Sequence, residues 1–199
     1  MIEVDSFTQT VTDYIHAHSG LETRRPYVGF SGAGKCPRRV YRDYFGGVDI
    51  SDVSQRMCYA GYMFEREARN ILEGCGMVRP GSQRKIVSDF SENFHGHTDG
   101  ETVWGDLLEI KSVTENKFSD ICRKEKALFE HFRQVQLYMH YGGYKRCWFF
   151  YISRETFQNK IIMAHYSQRV ALEGIAWGKA MLEAVETMTE PACVCGRCV

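Results

Sequence analysis

The sequence predicts an α/β fold, a β-sheet with helices packed on it. Three stretches carry that reading. Residues 96–111 (GHTDGETVWGDLLEIK) form a hairpin, with apolar and β-branched residues on both sides of Gly105-Asp106, a pair that favours a turn. Residues 61–73 (GYMFEREARNILE) place Gly61, Phe64, Glu65, Ala68, Ile71 and Leu72 on one helical face. Residues 145–154 are almost continuously apolar, as in a strand buried on both faces.

Composition bounds the rest. A chain of 199 residues suits one domain with a proper core. Lys plus Arg (25) equals Asp plus Glu (25), so no global basic field advertises nucleic acid. Charge is uneven, however: Arg24, Arg25, Lys35, Arg38, Arg39 and Arg42 form a run without an acidic residue. Such a run makes either a solvated face or a track for a phosphate backbone. The first twenty residues carry Glu3, Asp5 and Asp13 and lack the apolar stretch of a signal peptide. The most apolar segment, 147–152, is too short to cross a bilayer. Eight cysteines in a chain read as cytoplasmic argue for thiols or metal ligation over a disulfide framework. There is no internal repeat, low-complexity tract or long linker.

Taken in order, residues 7–18 have a helical pattern through Phe7, Val11, Tyr14 and Ile15. Residues 31–41 (SGAGKCPRRVY) resemble a phosphate loop in their glycines and lysine. They lack the GxxxxGK[ST] spacing and a preceding strand, which excludes an NTPase. Pro37 after Cys36 starts a helix through Tyr41 and Tyr44, arginines outward. In the 61–73 helix Glu65 lies in the apolar stripe while Glu67 points out. A carboxylate there needs a partner: an arginine such as Arg69, or a metal shared with Asp99 and Glu109.

Residues 82–89 and 94–98 are strands leading into the hairpin, whose first strand carries Asp99. Side-chain alternation sets Glu109 and Lys111 on one face and Leu108 and Ile110 on the other. For Asp99 to join Glu109, the loop must hold an odd number of residues or a strand must bulge. A three-residue loop centred on Gly105 would set Asp99 opposite Lys111. Two carboxylates and an ammonium on one sheet surface suit a divalent ion that activates water against a phosphodiester. His95 and His97 are set outside the site, since neither has a second His at ligand spacing.

Residues 128–141 are helical, with Leu128, Phe132, Val135 and Met139 as the core stripe. Beside it runs a row of His131, Gln134 and Tyr138, which looks into a cleft or borders solvent. Residues 145–154 and 158–165 are strands, with Cys147 in the core. A last helix runs from the N-cap Ser167 to about Met188, its Gly174 and Gly178 allowing close packing. After Pro191, Cys193, Cys195 and Cys198 put three thiols within six residues. Cys36 is the natural fourth ligand, and four thiolates suit zinc or an iron–sulfur cluster alike.

The motifs Gly96-His-Thr-Asp99, Glu109-Ile-Lys111 and Gln134-Val-Gln-Leu-Tyr138, after a helix bearing Glu65, resemble the PD-(D/E)XK nucleases of the RecB type. Cys36-Pro-Arg and the three C-terminal cysteines resemble their iron–sulfur branch, which includes CRISPR-associated RecB-like exonucleases and AddB-type nuclease domains. The family often has His where this chain has Glu65, and C-x-C-x-x-C is tighter than its commoner pattern.

The resemblance implies a restriction-endonuclease-like core, a central mixed sheet flanked by helices. It implies one domain, 1–199, with 1–50 and 188–199 forming a cysteine-cluster subdomain on a 55–187 core. Glu65, Asp99, Glu109 and the Ile110 carbonyl would hold Mg²⁺ or Mn²⁺, and Lys111 would orient or deprotonate the attacking water. Gln134 and Tyr138 would position a DNA strand or the lysine. Cys36, Cys193, Cys195 and Cys198 would hold a [4Fe–4S] cluster, with zinc as the alternative, and Arg38, Arg39 and Arg42 would lie where phosphates pass. The implied activity is a metal-dependent exonuclease on single-stranded DNA or free ends, in CRISPR adaptation beside an integrase or in viral or mobile-element recombination. Other readings are a structure-specific endonuclease and a DNA-end-binding protein that does not cut. No membrane is implied, and the place of action is the cytoplasm, the host's if the protein is viral.

Overall fold

The computed structural model describes residues 4–19, 26–46, 51–196 and 198. Arg24 and Arg25 of the basic run, Arg197 and the Phe7 side chain lie outside the described residues.

The described chain runs α1 (Val4–Ala17), β1 (Val28–Gly29), a 3₁₀ turn (Phe30–Gly32), α2 (Pro37–Phe45), α3 (Asp52–Gly74), β2 (Lys85–Val87), β3 (Phe94–His97), β4 (Gly100–Glu101), β5 (Leu107–Val113), α4 (Glu115–Lys124), α5 (Phe129–Gly142), β6 (Arg146–Ser153), β7 (Asn159–His165) and α6 (Gln168–Glu186). A four-stranded sheet has the order β4-β5-β6-β7, and only the β5–β6 pair in it is parallel. Parallel neighbours need a long crossover, which α4 and α5 supply.

The sheet is the middle of three layers. From β6, Phe149 and Tyr151 enter a core with Val135, Leu137 and Met139 of α5, while Phe150 and Ile152 enter a second core with Ala68 and Leu72 of α3. Strand β6 is therefore buried on both faces, as its apolar run predicts, each large side chain contributing about 1.5–3 kcal/mol of transfer free energy. Helix α6 backs α5 where glycines allow contact: a Cβ on Gly174 would lie 3.1 Å from Leu137, and one on Gly178 only 2.5 Å from the Phe94 ring.

Several boundaries differ from the sequence expectation. Helix α3 starts at Asp52, because Ser51 caps it by accepting the Ser54 amide at 3.2 Å. Helix α4, with only Phe118 and Ile121 buried, has too thin an apolar stripe to register in the sequence. At α6, Ser167 occupies the N-cap without a side-chain cap, and its amide donates to Gln136 Oε1 at 2.6 Å. The glycines of 31–35 serve packing, since a Cβ on Gly34 would lie 2.4 Å from Glu130 Cα and one on Gly32 2.8 Å from Trp177.

The largest difference is the hairpin. Its first strand is two strands in two sheets: β3 joins a three-stranded sheet, order β1-β3-β2, and only β4 pairs with β5. The expected single central sheet is thus divided, and Asp99 falls in the break rather than on a strand. The Thr98 amide, turned toward the other sheet, donates to Arg84 O at 2.9 Å.

Candidate active site and cysteine cluster

The hairpin loop has three residues, an odd number, as the parity argument requires. Thr102 N–H donates to Asp106 O at 2.9 Å and Gly105 N–H to Thr102 O at 3.0 Å, with Gly105 at φ +83°. This is a turn ending in a left-handed residue, a position glycine fills without strain. The loop is centred on Trp104, one residue earlier than expected. With Gly100 opposite Leu108, the register carries Asp99 opposite Glu109 instead of Lys111.

The break then acquires a purpose. In that register Ile110 N–H would bond the residue-98 carbonyl if the ladder continued. The strand has left, and Asp99 Oδ2 accepts that hydrogen instead, at 2.6 Å. The carboxylate therefore curls over the open edge of β5, where the two faces of the sheet meet. Glu109 and Lys111 come from the α5 face. Glu65 comes from α3 on the other, held by Arg69 at 2.5 Å, and Arg69 Nε also donates to Asp99 O at 3.1 Å.

Glu109 is fully buried, and its Oε1 lies 2.5 Å from Lys111 Nζ. Its Oε2 has no hydrogen-bond partner among the described residues. Burial, together with the charges of Asp99 and Glu65, pushes the Glu109 carboxyl up to about 8 despite Lys111. Burial also raises Asp99, against the pull of Lys111 and the Ile110 amide, and raises Glu65, with Asp99 adding to it. At Lys111 burial favours the neutral amine, but Glu109 and Asp99 outweigh it and the ammonium is held well above its ordinary range. The three carboxyl groups repel one another around the edge of β5, Lys111 and Arg69 notwithstanding.

Tyr138 joins from α5. Its hydroxyl donates to His97 O at 2.7 Å and receives Gln134 Nε2 at 3.2 Å, and burial beside Glu109 keeps it protonated. The ring lies flat on β3 because residue 96 is glycine, where a Cβ would meet it at 2.7 Å. His95 is buried under Tyr27 with Nδ1 2.7 Å from Glu92 O, and His97 is exposed; neither enters the carboxylate group. A cleft of ≈ 260 Å³ opens over the edge, lined among others by Met57, Gly61, Glu65, Ile110, Lys111 and Arg154. Arg154 carries no motif of its own. Only the parallel register of β5 and β6, with Val113 opposite Ser153, brings it there.

The second cluster joins the chain ends. Sulfur–sulfur distances are 4.0 Å for Cys36–Cys193, 3.6 Å for Cys193–Cys195, 3.4 Å for Cys195–Cys198 and 3.5 Å for Cys198–Cys36. Among the described residues, this is the one group of His, Cys, Asp or Glu whose donor atoms all lie within 4.8 Å of one another. Four such thiols can hold a metal ion or cluster. Cys36 sits at the N-cap of α2, where amides favour a thiolate. Burial opposes ionisation there, but the Val194 and Arg39 amides and the neighbouring thiols bring it down to about 7. The Cys198 amide leads in bringing Cys193 to about 6, while Cys198, sharing with Cys195 and Cys36, is pushed up to about 12.

Two arginines of the basic run share a carboxylate partner. Arg42 pairs with Glu190 at 2.6 Å, and Arg38 reaches Glu190 at 3.5 Å and the Pro191 carbonyl at 3.1 Å. These arginines brace α2 against the segment that delivers the cysteines, and Arg39 is exposed.

No family model and no curated protein sequence matches the chain. Solved structures do. The crystal structure of LHK-Exo in complex with dAMP superposes with a TM-score of 0.61 at 18% identity, covering 86% of this chain and 92% of that one. This chain has the fold of an alkaline exonuclease. The structure of the alkaline exonuclease LHK-Exo from Laribacter hongkongensis gives 0.59 at 17% identity over 88% and 93%. That of SSO0001 gives 0.62 at 16% over 94% and 89%. No helix among the described residues is long and apolar enough to cross a membrane.

Proposed function

We propose that the protein is a metal-dependent DNA exonuclease acting on single strands or free ends. The observation that carries this is the buried Glu109 carboxylate, with one oxygen unpartnered, facing Lys111 and Asp99 at the open edge of β5. A carboxylate buried with an orphan oxygen costs several kcal/mol unless something meets it. The fold supports the reading, and the LHK-Exo complex with dAMP supports DNA as substrate class.

Oxygen donors whose mutual repulsion a cation would relieve fit Mg²⁺ or Mn²⁺. Glu109, Asp99, Glu65 and the Ile110 carbonyl would hold the ion, drawing together three carboxylates whose oxygens do not all lie within 4.8 Å of one another without it, and when bound it supplies a water of lowered pKa and offsets charge on the scissile phosphate. The chain's own residues do the rest. Lys111 Nζ, charged and anchored by Glu109, orients the attacking water and meets developing negative charge. Tyr138, locked by His97 O and Gln134, walls the lysine from the α5 side. The Asp99 bond to the Ile110 amide fixes the carboxylate that must face the ion.

The four thiols belong to the same proposal as the staple that closes 1–50 and 188–199 into a subdomain on the 55–187 core. The family resemblance implies [4Fe–4S]. Zinc has its own supporting observation, because a Zn–S bond of about 2.3 Å sets tetrahedral sulfurs about 3.8 Å apart, close to the separations here. Anaerobically purified protein decides: brown colour with iron and sulfide means the cluster, and one zinc per colourless chain means the ion. The CRISPR or recombination setting rests on the resemblance alone.

Cleavage of end-labelled single- and double-stranded DNA with Mn²⁺ tests the activity. Mononucleotide release by the wild type and none by Glu109→Ala is expected. Equal cleavage by both proteins would refute the assignment, and fragments of internal cutting would make the enzyme an endonuclease.

A further inference from the structure

Arg154 is a cation in the cleft whose hydrogen bonds among the described residues go to neutral groups. Lys111 is paired with Glu109, and Arg69 with Glu65. The Arg154 guanidinium instead donates through Nε to Ser112 Oγ at 3.2 Å and through Nη2 to Ser112 O at 3.1 Å, and no carboxylate among the described residues pairs with it. Its own amide donates to Val113 O at 3.0 Å, so the residue is tied at both ends to the strand that carries Glu109 and Lys111. Two of the five guanidinium N–H donors are used, and three remain. A part-buried arginine fixed this way loses little side-chain freedom on meeting an oxyanion.

Resting on the nuclease reading, we propose that Arg154 binds a backbone phosphate of the DNA strand next to the scissile one. A phosphodiester is the ligand this geometry suits. The planar guanidinium, held at the turn that follows β6, can donate to two phosphate oxygens at once, and the charge meets them without breaking an ion pair. Lys111 is committed to Glu109 and to the reacting centre, which leaves the neighbouring phosphate to Arg154. The Ser112 contacts make Arg154 a positioning element for the strand as well as a charge: they set the distance between the gripped phosphate and the Glu109–Lys111 pair.

The competing role is a clip that merely holds β5 to β6. A glutamine would still donate to Ser112 but has no charge, so Arg154→Gln separates the two. Binding of a fluorescent oligothymidylate is measured by anisotropy across a salt series, in a Glu109→Gln background that leaves the strand intact. Arg154→Gln is expected to weaken binding about tenfold and to flatten the slope of log affinity against log salt by about 0.7, the value for one phosphate contact on a single strand. Arg154→Lys keeps the charge and should keep the slope while losing severalfold in affinity. If the Gln variant is unstable to heat, the Lys variant carries the test, and its unchanged affinity overturns the proposal.

The two readings fail differently. A wild type that cuts DNA, with Arg154→Gln binding like its parent, removes Arg154 alone. A wild type that neither binds nor cuts removes the nuclease assignment beneath it.

Discussion

Asp99 Oδ2 holds the amide hydrogen of Ile110 at 2.6 Å, replacing a bond that a continuous hairpin would have made between backbones. One side chain thus closes the exposed edge of β5 and is aimed at Glu109 by doing so.

That dual use predicts a separation of effects. Asp99→Asn can still accept the Ile110 hydrogen through its amide oxygen, so stability should change by less than about 1 kcal/mol while cleavage is lost. Asp99→Ala leaves the amide without a partner and should cost about 1–3 kcal/mol. Hydrogen exchange at Ile110 distinguishes them, staying slow in the first variant and accelerating in the second.

Glu109 and Lys111 should behave as a coupled pair. Lys111→Met strands a buried carboxylate and should destabilise by about 3–5 kcal/mol in urea denaturation. Adding Glu109→Gln removes that charge, and the double variant should be more stable than Lys111→Met alone. Both variants should be inactive.

His131 lies under Tyr151, its Nδ1 3.0 Å from the phenol oxygen. Burial, helped by the charge of Lys111, holds its imidazole down at about 3, so the folded protein keeps it neutral. Unfolded, it titrates near pH 6.5 and takes up a proton that the fold refuses. Its contribution is therefore complete above pH 6.5 and is lost as pH falls toward 3, on the order of 3 kcal/mol by pH 4. Urea midpoints against pH should show the slope, and His131→Gln should flatten it.

Gly34→Ala tests the packing role of the 31–35 segment. Its Cβ would meet Glu130 Cα at 2.4 Å, a backbone contact that no rotamer change relieves. A loss of about 1–3 kcal/mol or more is expected from calorimetry. An unchanged Tm would mean that these glycines serve something other than packing.

The cysteine staple predicts a local response to chelation. Removing the metal, or making Cys195→Ser, should lower Tm and expose the segment after Glu186 to proteolysis, while β5 and β6 stay protected from hydrogen exchange. Loss of protection throughout would mean that the staple holds the whole fold.

Some of this was readable in advance for identifiable reasons. The run 147–152 reads as a strand buried on both faces and Gly174 as a point of close helix packing, and both are as read; Gly178 instead admits the Phe94 ring of β3. The four cysteines converge as expected, because three thiols near a chain end have no core to enter. Other features had no local signal. The dipeptide Gly105-Asp106 suggests a turn but not its centre, and one residue of shift changes which partner faces Asp99. Arg38 and Arg42 read as a phosphate track until Glu190, nearly 150 residues away, is seen to take them.

The sequence by itself determined most of the helices and strands in their order, β1 and α4 excepted, the parity that lets Asp99 face Glu109, and the thiol set. These follow from periods of two and 3.6 residues and from ligand chemistry, which act over a few positions. Only the tertiary structure decided that the first hairpin strand divides between two sheets, that Arg69, paired with Glu65 on its own helix, also reaches the Asp99 carbonyl, and that Arg154 reaches the cleft. Those depend on which backbone groups find partners across the fold, and pairing over that distance leaves no periodic trace in the chain.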